Sequence, residues 1–182
     1  TDHDTSPTVR YIARCEEILE TISQQKLEIQ KTAERFASTI AAGGMVHLFG
    51  SGHSRILTEE MWPRYGSFPG FNPIVELSLT FHNPVVGANG QRQAMFLENT
   101  PGLAKRILRN FTISPDDCAM VVSSSGANIV PIEMAMAFRE LGVWTVGIVT
   151  RQHAAGSSSK HPSGQSLVDV ADLVLDTGAP LG

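Results

Sequence analysis

The sequence predicts a three-layer α/β fold: a doubly wound five-stranded parallel sheet of flavodoxin-like order 2-1-3-4-5, preceded by a long N-terminal helix. Three observations lead there. Short apolar runs such as Met45–Phe49 and Val143–Thr150 are bounded by glycine or polar residues, as buried parallel strands are. Segments of helical periodicity alternate with them. Two of the strand-to-helix passages are Ser/Gly loops, "GSGHSR" at 50–55 and "SSSGAN" at 123–128.

Residues 6–42 read as one helix. Ser6 is its N-cap and Pro7 takes the first helical position. Val9, Ile12, Cys15, Leu19, Ile22, Ile29, Ala33, Phe36 and Ile40 recur near helical spacing, and Gly43–Gly44 ends the run. Such a helix would span roughly 50 Å. That exceeds what one small sheet needs, so its apolar face is read as covering either its own domain or another subunit as well. Met45–Phe49 is strand 1, with His47 read as a core histidine. After "GSGHSR" comes a helical stretch, "ILTEEMWPRYG", stopped by Pro63 and Gly66. Asn72–Leu79 holds strand 2, and "FHNPVVGANGQRQ" at 81–93 reads as loop. A helix is expected over Pro101–Asn110 with Thr100 as N-cap. "DDCAMVV" enters strand 3. Ile129–Leu141 is a helix capped by Asn128, with Pro131 in its first turn, where the missing N–H costs nothing. Val143–Thr150 is strand 4, "RQHAAGSSSKHPSGQS" a long polar loop, and "ADLVLDT" strand 5. No repeat and no second domain is evident, so residues 1–182 read as a single domain.

Composition narrows the class. With 42% apolar and 18% charged residues the chain is globular rather than disordered. A net charge of −4 with no basic cluster argues against a nucleic-acid partner. No run approaches the roughly 18 apolar residues of a membrane span, so no membrane association is expected. "TDHDTSPT" lacks signal-peptide character, and without an initiator Met it reads as the start of a processed or trimmed chain. Cys15 and Cys118 lie in apolar segments and read as buried, reduced thiols of a cytoplasmic protein.

In an open parallel sheet, ligands bind beyond the C-terminal strand ends where the strand order reverses. In the order 2-1-3-4-5 that crevice lies between strands 1 and 3, so "GSGHSR" and "SSSGAN" would face each other across it. A helix N-terminus offers free N–H groups and the positive end of a dipole. Serine hydroxyls add adjustable donors, and glycine lets backbone approach closely. Ser51, His53 and Ser54 with Ser123, Ser124, Ser125 and Asn128 therefore form a candidate phosphate cradle. One rival is a dinucleotide fold, since "GSGHSR" begins like G-x-G-x-x-G and Glu76 ends strand 2 where a ribose-binding acid would sit. Against it, Arg55 stands where the third glycine would let helix and strand pack closely. The sequence shows neither the G-x-S-x-G elbow of a serine hydrolase nor a P-loop.

The combination strand-"GSGHS"-helix with "EE", then strand-"SSSGAN"-"PIEMA", together with "KHPSG", resembles the SIS (sugar isomerase) domain family over about residues 8 to 178. The resemblance is closest to a group of SIS proteins near phosphoheptose isomerases and N-acetylmuramic acid 6-phosphate etherases. It implies a phosphosugar ligand bound without a cofactor, and it is weakly specific for the reaction. By motif, Ser54 matches the serine after strand 1 that touches the sugar or its phosphate, and Ser123 and Ser125 match the phosphate-binding serines after strand 3. Asn128 stands where many members have Ser or Thr. Through "EEMWPRY", Glu60 matches the helix glutamate that phosphoheptose isomerases use as a base, with Glu59 the adjacent candidate.

A carboxylate there could move a proton between C1 and C2 of an aldose phosphate through an enediol. Isomerases of this type also use a histidine in a helix after strand 5. The chain stops at Gly182, so either the C-terminal part of the domain is missing or the chemistry differs. His161, in a loop leaving the end of strand 4, is a further catalytic candidate. His53, His161 and Glu60 lack the close spacing of metal ligands, so no metal is expected. The resulting expectation is a phosphosugar-binding domain that isomerises its ligand, or a related lyase, and forms a homodimer or larger homo-oligomer. A non-catalytic sugar-phosphate sensor is the alternative, and a dinucleotide-binding oxidoreductase a remoter one.

Overall fold

The computed structural model describes residues 6–79, 87 and 90–181. Five parallel strands form one sheet of order β2-β1-β3-β4-β5. They are β1 (Val46–Gly50), β2 (Phe71–Pro73), β3 (Cys118–Val122), β4 (Trp144–Val149) and β5 (Leu173–Asp176). The helices are α1 (Pro7–Ser23), α2 (Lys26–Ala41), α3 (Arg55–Glu60), α4 (Gly90–Leu97), α5 (Leu103–Leu108), α6 (Ile129–Glu140), α7 (Arg151–Ala155) and α8 (Leu167–Val170).

The layers follow from strand alternation. On one face Val46, Leu48, Cys118 and Val146 pack with Phe36 of α2. On the other, Phe49, Ala119 and Val121 pack with Val130, Ile132 and Phe138 of α6 and with Leu167 of α8. His47 is a core residue, stacked on Phe138 at 6.0 Å between ring centres. Its Nε2 lies 3.0 Å from Asp117 Oδ2, and the Asn72 amide donates to its Nδ1 at 2.9 Å. Cys118 is buried, Cys15 half-buried, and neither forms a disulfide.

The helix expected over 6–42 is two helices, with Gln24 and Gln25 between them. The cause is tertiary. Gln25 Nε2 donates to the Asp176 carbonyl at 2.9 Å and Gln25 Oε1 accepts from the Asp176 N–H at 2.7 Å. A side-chain amide thus completes the outer edge of β5, whose backbone groups need a partner. None of α1 is buried, and its Val9, Tyr11, Ile12 and Leu19 are exposed.

Other boundaries also shift. β2 ends at Pro73, the Ile74 N–H still bonds to the Leu48 carbonyl at 2.8 Å, and the segment beyond carries no strand, with Ile74 and Leu79 buried in the core. Of the loop expected over 81–93, residues from Gly90 onward begin α4, while 81–86, 88 and 89 lie outside the described residues. The helix expected over 101–110 is shorter, and its N-cap is Gly102, at φ +80°, rather than Thr100. The polar stretch after β4 opens with the short helix α7. Among the described residues, no helix is long and apolar enough to cross a membrane.

Candidate functional site

The register of the sheet builds the crevice. Gly50 of β1 lies opposite Val122 of β3, so Ser51 and Ser123 leave adjacent strands at the same height. After β1 the chain doubles back in a tight turn, Gly52–Ser54, which leads into α3. Gly50 is obligatory here, because a Cβ would stand 2.4 Å from the Ser54 carbonyl oxygen. Arg55 braces the turn from within, donating to the Gly52 carbonyl at 2.9 Å and to Glu59 at 3.0 Å.

After β3, Gly126 adopts φ +62° and closes the serine loop. Ser123 is buried and its Oγ accepts from the Gly126 N–H at 3.2 Å. Ser125 is half-buried and its Oγ accepts from the Ala127 N–H at 3.3 Å, which leaves its hydroxyl proton available. Ser124 is exposed, with its Oγ 3.2 Å from His153 Nδ1 and 3.3 Å from Thr150 Oγ1. The first turn of α6 offers fewer donors than the sequence suggests. Val130 N–H is bonded to the Glu98 carbonyl at 2.9 Å, and Pro131 has no N–H. The helix after the β1 turn has only six residues, so the serine side of the crevice carries most of the helix-dipole effect.

Two residues that sequence reasoning missed complete the site. Glu98, just past α4, accepts a hydrogen bond from Ser51 Oγ at 2.7 Å. Lys160 Nζ donates to Asn128 Oδ1 at 2.7 Å, and both side chains lie near enough to the Glu98 carboxyl to act on it. Ser51, Glu98, Asn128 and Lys160 thereby link the two Ser/Gly loops. Burial pushes the Glu98 carboxyl above its ordinary value, although Ser51, the Lys160 charge and the Asn128 amide pull it down. The "KHPSG" segment reaches the site because Lys160 N–H bonds to the Ala127 carbonyl and Leu167 N–H to the Gly126 carbonyl. His161 is half-buried beside it. Its Nδ1 accepts from the Ser163 N–H at 3.2 Å and lies 2.7 Å from Ser163 Oγ, so Nε2 carries the ring hydrogen.

Glu59 and Glu60, at the end of α3, are each ion-paired within their own segment. Glu59 is held by Arg55 at 3.0 Å and Glu60 by Arg64 at 3.1 Å, the latter pair exposed. His53 is exposed at the turn and Ser54 half-buried. Glu76 lies beyond β2 rather than ending it, and its Oε2 accepts from the Leu79 N–H at 2.9 Å. Among the described residues, no cluster of three or more His, Cys, Asp or Glu side chains has the arrangement of a metal site. A groove of about 320 Å³ between α5 and α6 is lined by Leu108, Phe111 and Ala137. It flanks the C-terminal half of α6, opposite the end that meets the crevice.

Comparison with known proteins agrees with this architecture. The fold resembles that of a phosphoheptose isomerase from Francisella tularensis, with a TM-score of 0.59 at 14% identity over 91% of this chain and 78% of that one. A phosphoheptose isomerase from Neisseria gonorrhoeae gives 0.57 at 14% identity, over 95% and 84%. By sequence, a UPF0309 protein of Geobacillus kaustophilus is 36% identical over 168 residues, covering 92% of this chain and 64% of that protein. A UPF0309 protein of Listeria monocytogenes is 36% identical over 173 residues, covering 94% of this chain and 68% of its own length. The chain thus spans about two thirds of the length of these relatives. The SIS domain model matches residues 10–150. That match spans most of the sheet and both Ser/Gly loops, and with these relatives it shows that the chain belongs to the SIS domain family.

Proposed function

We propose that the chain binds a phosphorylated sugar in the crevice between β1 and β3 and moves its carbonyl between C1 and C2 through an enediol. The observation that carries this reading is the pairing of two Ser/Gly loops at one height of the sheet, joined by the Ser51–Glu98–Asn128–Lys160 cluster. Membership of the SIS family and the fold shared with phosphoheptose isomerases support it. Ser124, Ser125 and Lys160 take the phosphate, on the side where α6 adds its dipole. Ser51 commits its proton to Glu98, so in this reading it faces the sugar rather than the phosphate. Ser54 and His53 border the same turn, and Ser123 supports the serine loop from below.

Glu60 is the proposed carbon base, with Glu59 its alternative and His161 Nε2 a further proton carrier. The protein acts as a homo-oligomer, since α1 leaves Val9, Ile12 and Leu19 uncovered. A second reading, binding without turnover, is favoured by one observation: both α3 glutamates are held by arginines.

The test is a panel of aldose and ketose phosphates of five, six and seven carbons. A ligand at 100 times its dissociation constant adds about 2.7 kcal/mol of stability, a melting shift of roughly 5 to 10 °C for this size. The free sugars should give almost none, and equal shifts from sugar and sugar phosphate would overturn the reading. Glu60→Gln should abolish turnover and exchange of the C2 proton with solvent deuterium, leaving binding nearly intact. Exchange that survives Glu60→Gln and vanishes in Glu59→Gln moves the role to Glu59. Binding without any turnover or exchange assigns the sensor.

A further inference from the structure

We propose that His153 is a proton-linked part of the phosphate site: its ring takes up a proton when a sugar-phosphate dianion binds, and its Nδ1–H then steers the Ser124 hydroxyl onto the phosphate. The inference rests on the phosphosugar reading above, which places Ser124 on the phosphate. Ser124 follows β3, and His153 lies in α7, after β4. The backbone pins the two together, because the Thr150 N–H bonds to the Ser124 carbonyl at 2.9 Å. His153 Nδ1 is then 3.2 Å from Ser124 Oγ, and the His153 carbonyl accepts from Ser157 Oγ at 2.8 Å.

Ser124 ends a chain of hydroxyls. Thr177 Oγ1 accepts from the Ala179 N–H at 3.3 Å and lies 2.8 Å from Thr150 Oγ1, which in turn lies 3.3 Å from Ser124 Oγ. Run outward, Thr177 donates to Thr150 and Thr150 to Ser124, so the one proton left over is that of Ser124. Its direction depends on the imidazole. A bare Nδ1 accepts it, and Ser124 then offers a ligand only lone pairs. An Nδ1–H donates to Ser124 Oγ instead, and the Ser124 proton turns to an acceptor in the crevice. A phosphate dianion presents acceptors only, so its binding favours the second arrangement.

Charge favours it as well. A phosphate oxygen held by Ser124 at about 2.7 Å lies no more than about 6 Å from His153 Nδ1, the range in which an opposite charge stabilises a protonated imidazole. The protein itself supplies no such partner: among the described residues, none of the ion pairs includes His153. Charged groups on the surrounding elements are engaged elsewhere. Asp176 of β5 accepts the Arg151 and Gly178 N–H groups, and the Arg151 guanidinium reaches the Val174 carbonyl. Arg14 and Glu17 of α1, which share a groove with Gln152 of α7, pair with each other, and Lys160 donates to Asn128. The ligand therefore brings the counter-charge, and the ring takes its proton from water as the ligand binds, with no covalent change in the ligand.

The experiment is calorimetry with aldose and ketose phosphates of five, six and seven carbons, in two buffers of different ionisation enthalpy. It is run at about pH 7.5, where a phosphate monoester is already largely a dianion. Wild type should take up as much as about one proton per ligand bound, and its affinity should fall by up to about tenfold from about pH 7 to 8. His153→Asn keeps a neutral N–H donor near the place of Nδ1 but cannot take up a proton. It should bind without proton uptake, with an affinity flat over that range and about tenfold below wild type at its lower end. Wild type that binds a sugar phosphate without proton uptake overturns the assignment and leaves the phosphosugar reading standing. Uptake that persists in His153→Asn also overturns it, because another group then takes the proton. Wild type that binds no sugar phosphate overturns the phosphosugar reading itself, and the role of His153 with it. Where His153→Asn does not fold, ¹⁵N spectra of the wild-type histidines decide. Hydrogens on both His153 ring nitrogens in the complex support the assignment, and a neutral ring overturns it.

Discussion

Lys160 Nζ donates to Asn128 Oδ1 at 2.7 Å, across 32 residues of sequence. The bond places a positive charge beside the serine loop. In the proposed phosphosugar site Lys160 is thus both the cation for the phosphate and the brace of Asn128.

Lys160→Met should weaken sugar-phosphate binding by about 10- to 150-fold, the worth of one charge-assisted hydrogen bond at 1.5 to 3 kcal/mol. Affinity of wild type should fall with added salt, and that of the variant should fall less. Lys160→Arg should recover part of the loss, because the charge returns without the compact geometry of an ammonium. Calorimetry at two salt concentrations checks this. A variant with wild-type affinity and wild-type salt dependence contradicts it.

The fold was largely legible, and the reason is local. Val46–Gly50, Cys118–Val122 and Trp144–Val149 are short apolar runs, and glycine or polar residues mark their ends. The Ser/Gly loops were legible because they follow such strands. What was hidden depends on distant partners. Nothing in "ISQQKLE" marks a helix break, since glutamine is a good helix former. The break exists because Gln25 pairs with Asp176 in the edge strand. Residues 74–79 look like strand because four of the six are apolar, yet strand pairing ends at Pro73, and of these apolar side chains Leu77 is exposed while Ile74 and Leu79 join the core. Glu98 sits in "FLENTPG", which carries no motif, and only the closed fold brings it to Ser51. Lys160 belongs to a segment that carried the family resemblance, yet no role could be assigned to it before its side chain was seen against Asn128.

Asp117 anchors the other end of the sheet, and its stability contribution should depend on pH. Burial pushes its carboxyl up, but the Ser114 N–H, the His47 ring and the Met45 N–H together outweigh burial and hold it below its ordinary value. A depressed folded value means the contribution is present above the unfolded carboxyl value of about 3.9 and is lost as pH falls through the folded one. Asp117→Asn should cost about 1.5 to 3 kcal/mol at neutral pH, the worth of a backbone N–H bond to a charged carboxylate. That gap should narrow in acid, as wild type loses what the variant lacks. Urea denaturation at neutral, mildly acidic and strongly acidic pH measures it, and a gap independent of pH contradicts the assignment.

Among the described residues, the face of α1 that carries Ile12 and Leu19 is uncovered. Ile12 and Leu19 are two turns apart and are 51% and 62% exposed. In the proposed homo-oligomer this face is covered. Ile12→Glu and Leu19→Glu should dissociate the assembly with little change in the monomer's own stability, because neither side chain is buried in it. Light scattering at tens of micromolar checks the state. A wild-type protein that is monomeric there, with full ligand affinity, refutes the prediction.

The phosphosugar and dinucleotide readings both place an anion near the turn after β1, so phosphate affinity alone does not separate them. They part at Glu76 and at the serine loop. A dinucleotide site needs an acid at the end of β2 to hold the ribose hydroxyls. Glu76 instead lies past that end, with its Oε2 on the Leu79 N–H at 2.9 Å. Glu76→Ala should therefore leave sugar-phosphate affinity within about threefold, under roughly 0.7 kcal/mol. Ser125 Oγ accepts from the Ala127 N–H and keeps its own proton, so in the phosphosugar reading Ser125→Ala should cost about 1.5 to 3 kcal/mol of binding. Ser123 is buried, and its Oγ holds the Gly126 N–H. Ser123→Ala should thus lower stability by about 1 kcal/mol as well as weakening the site. Titrations of wild type and the three variants with a sugar phosphate and with NAD provide the comparison. Tight NAD binding that Glu76→Ala destroys and Ser125→Ala ignores would move the protein to the dinucleotide class.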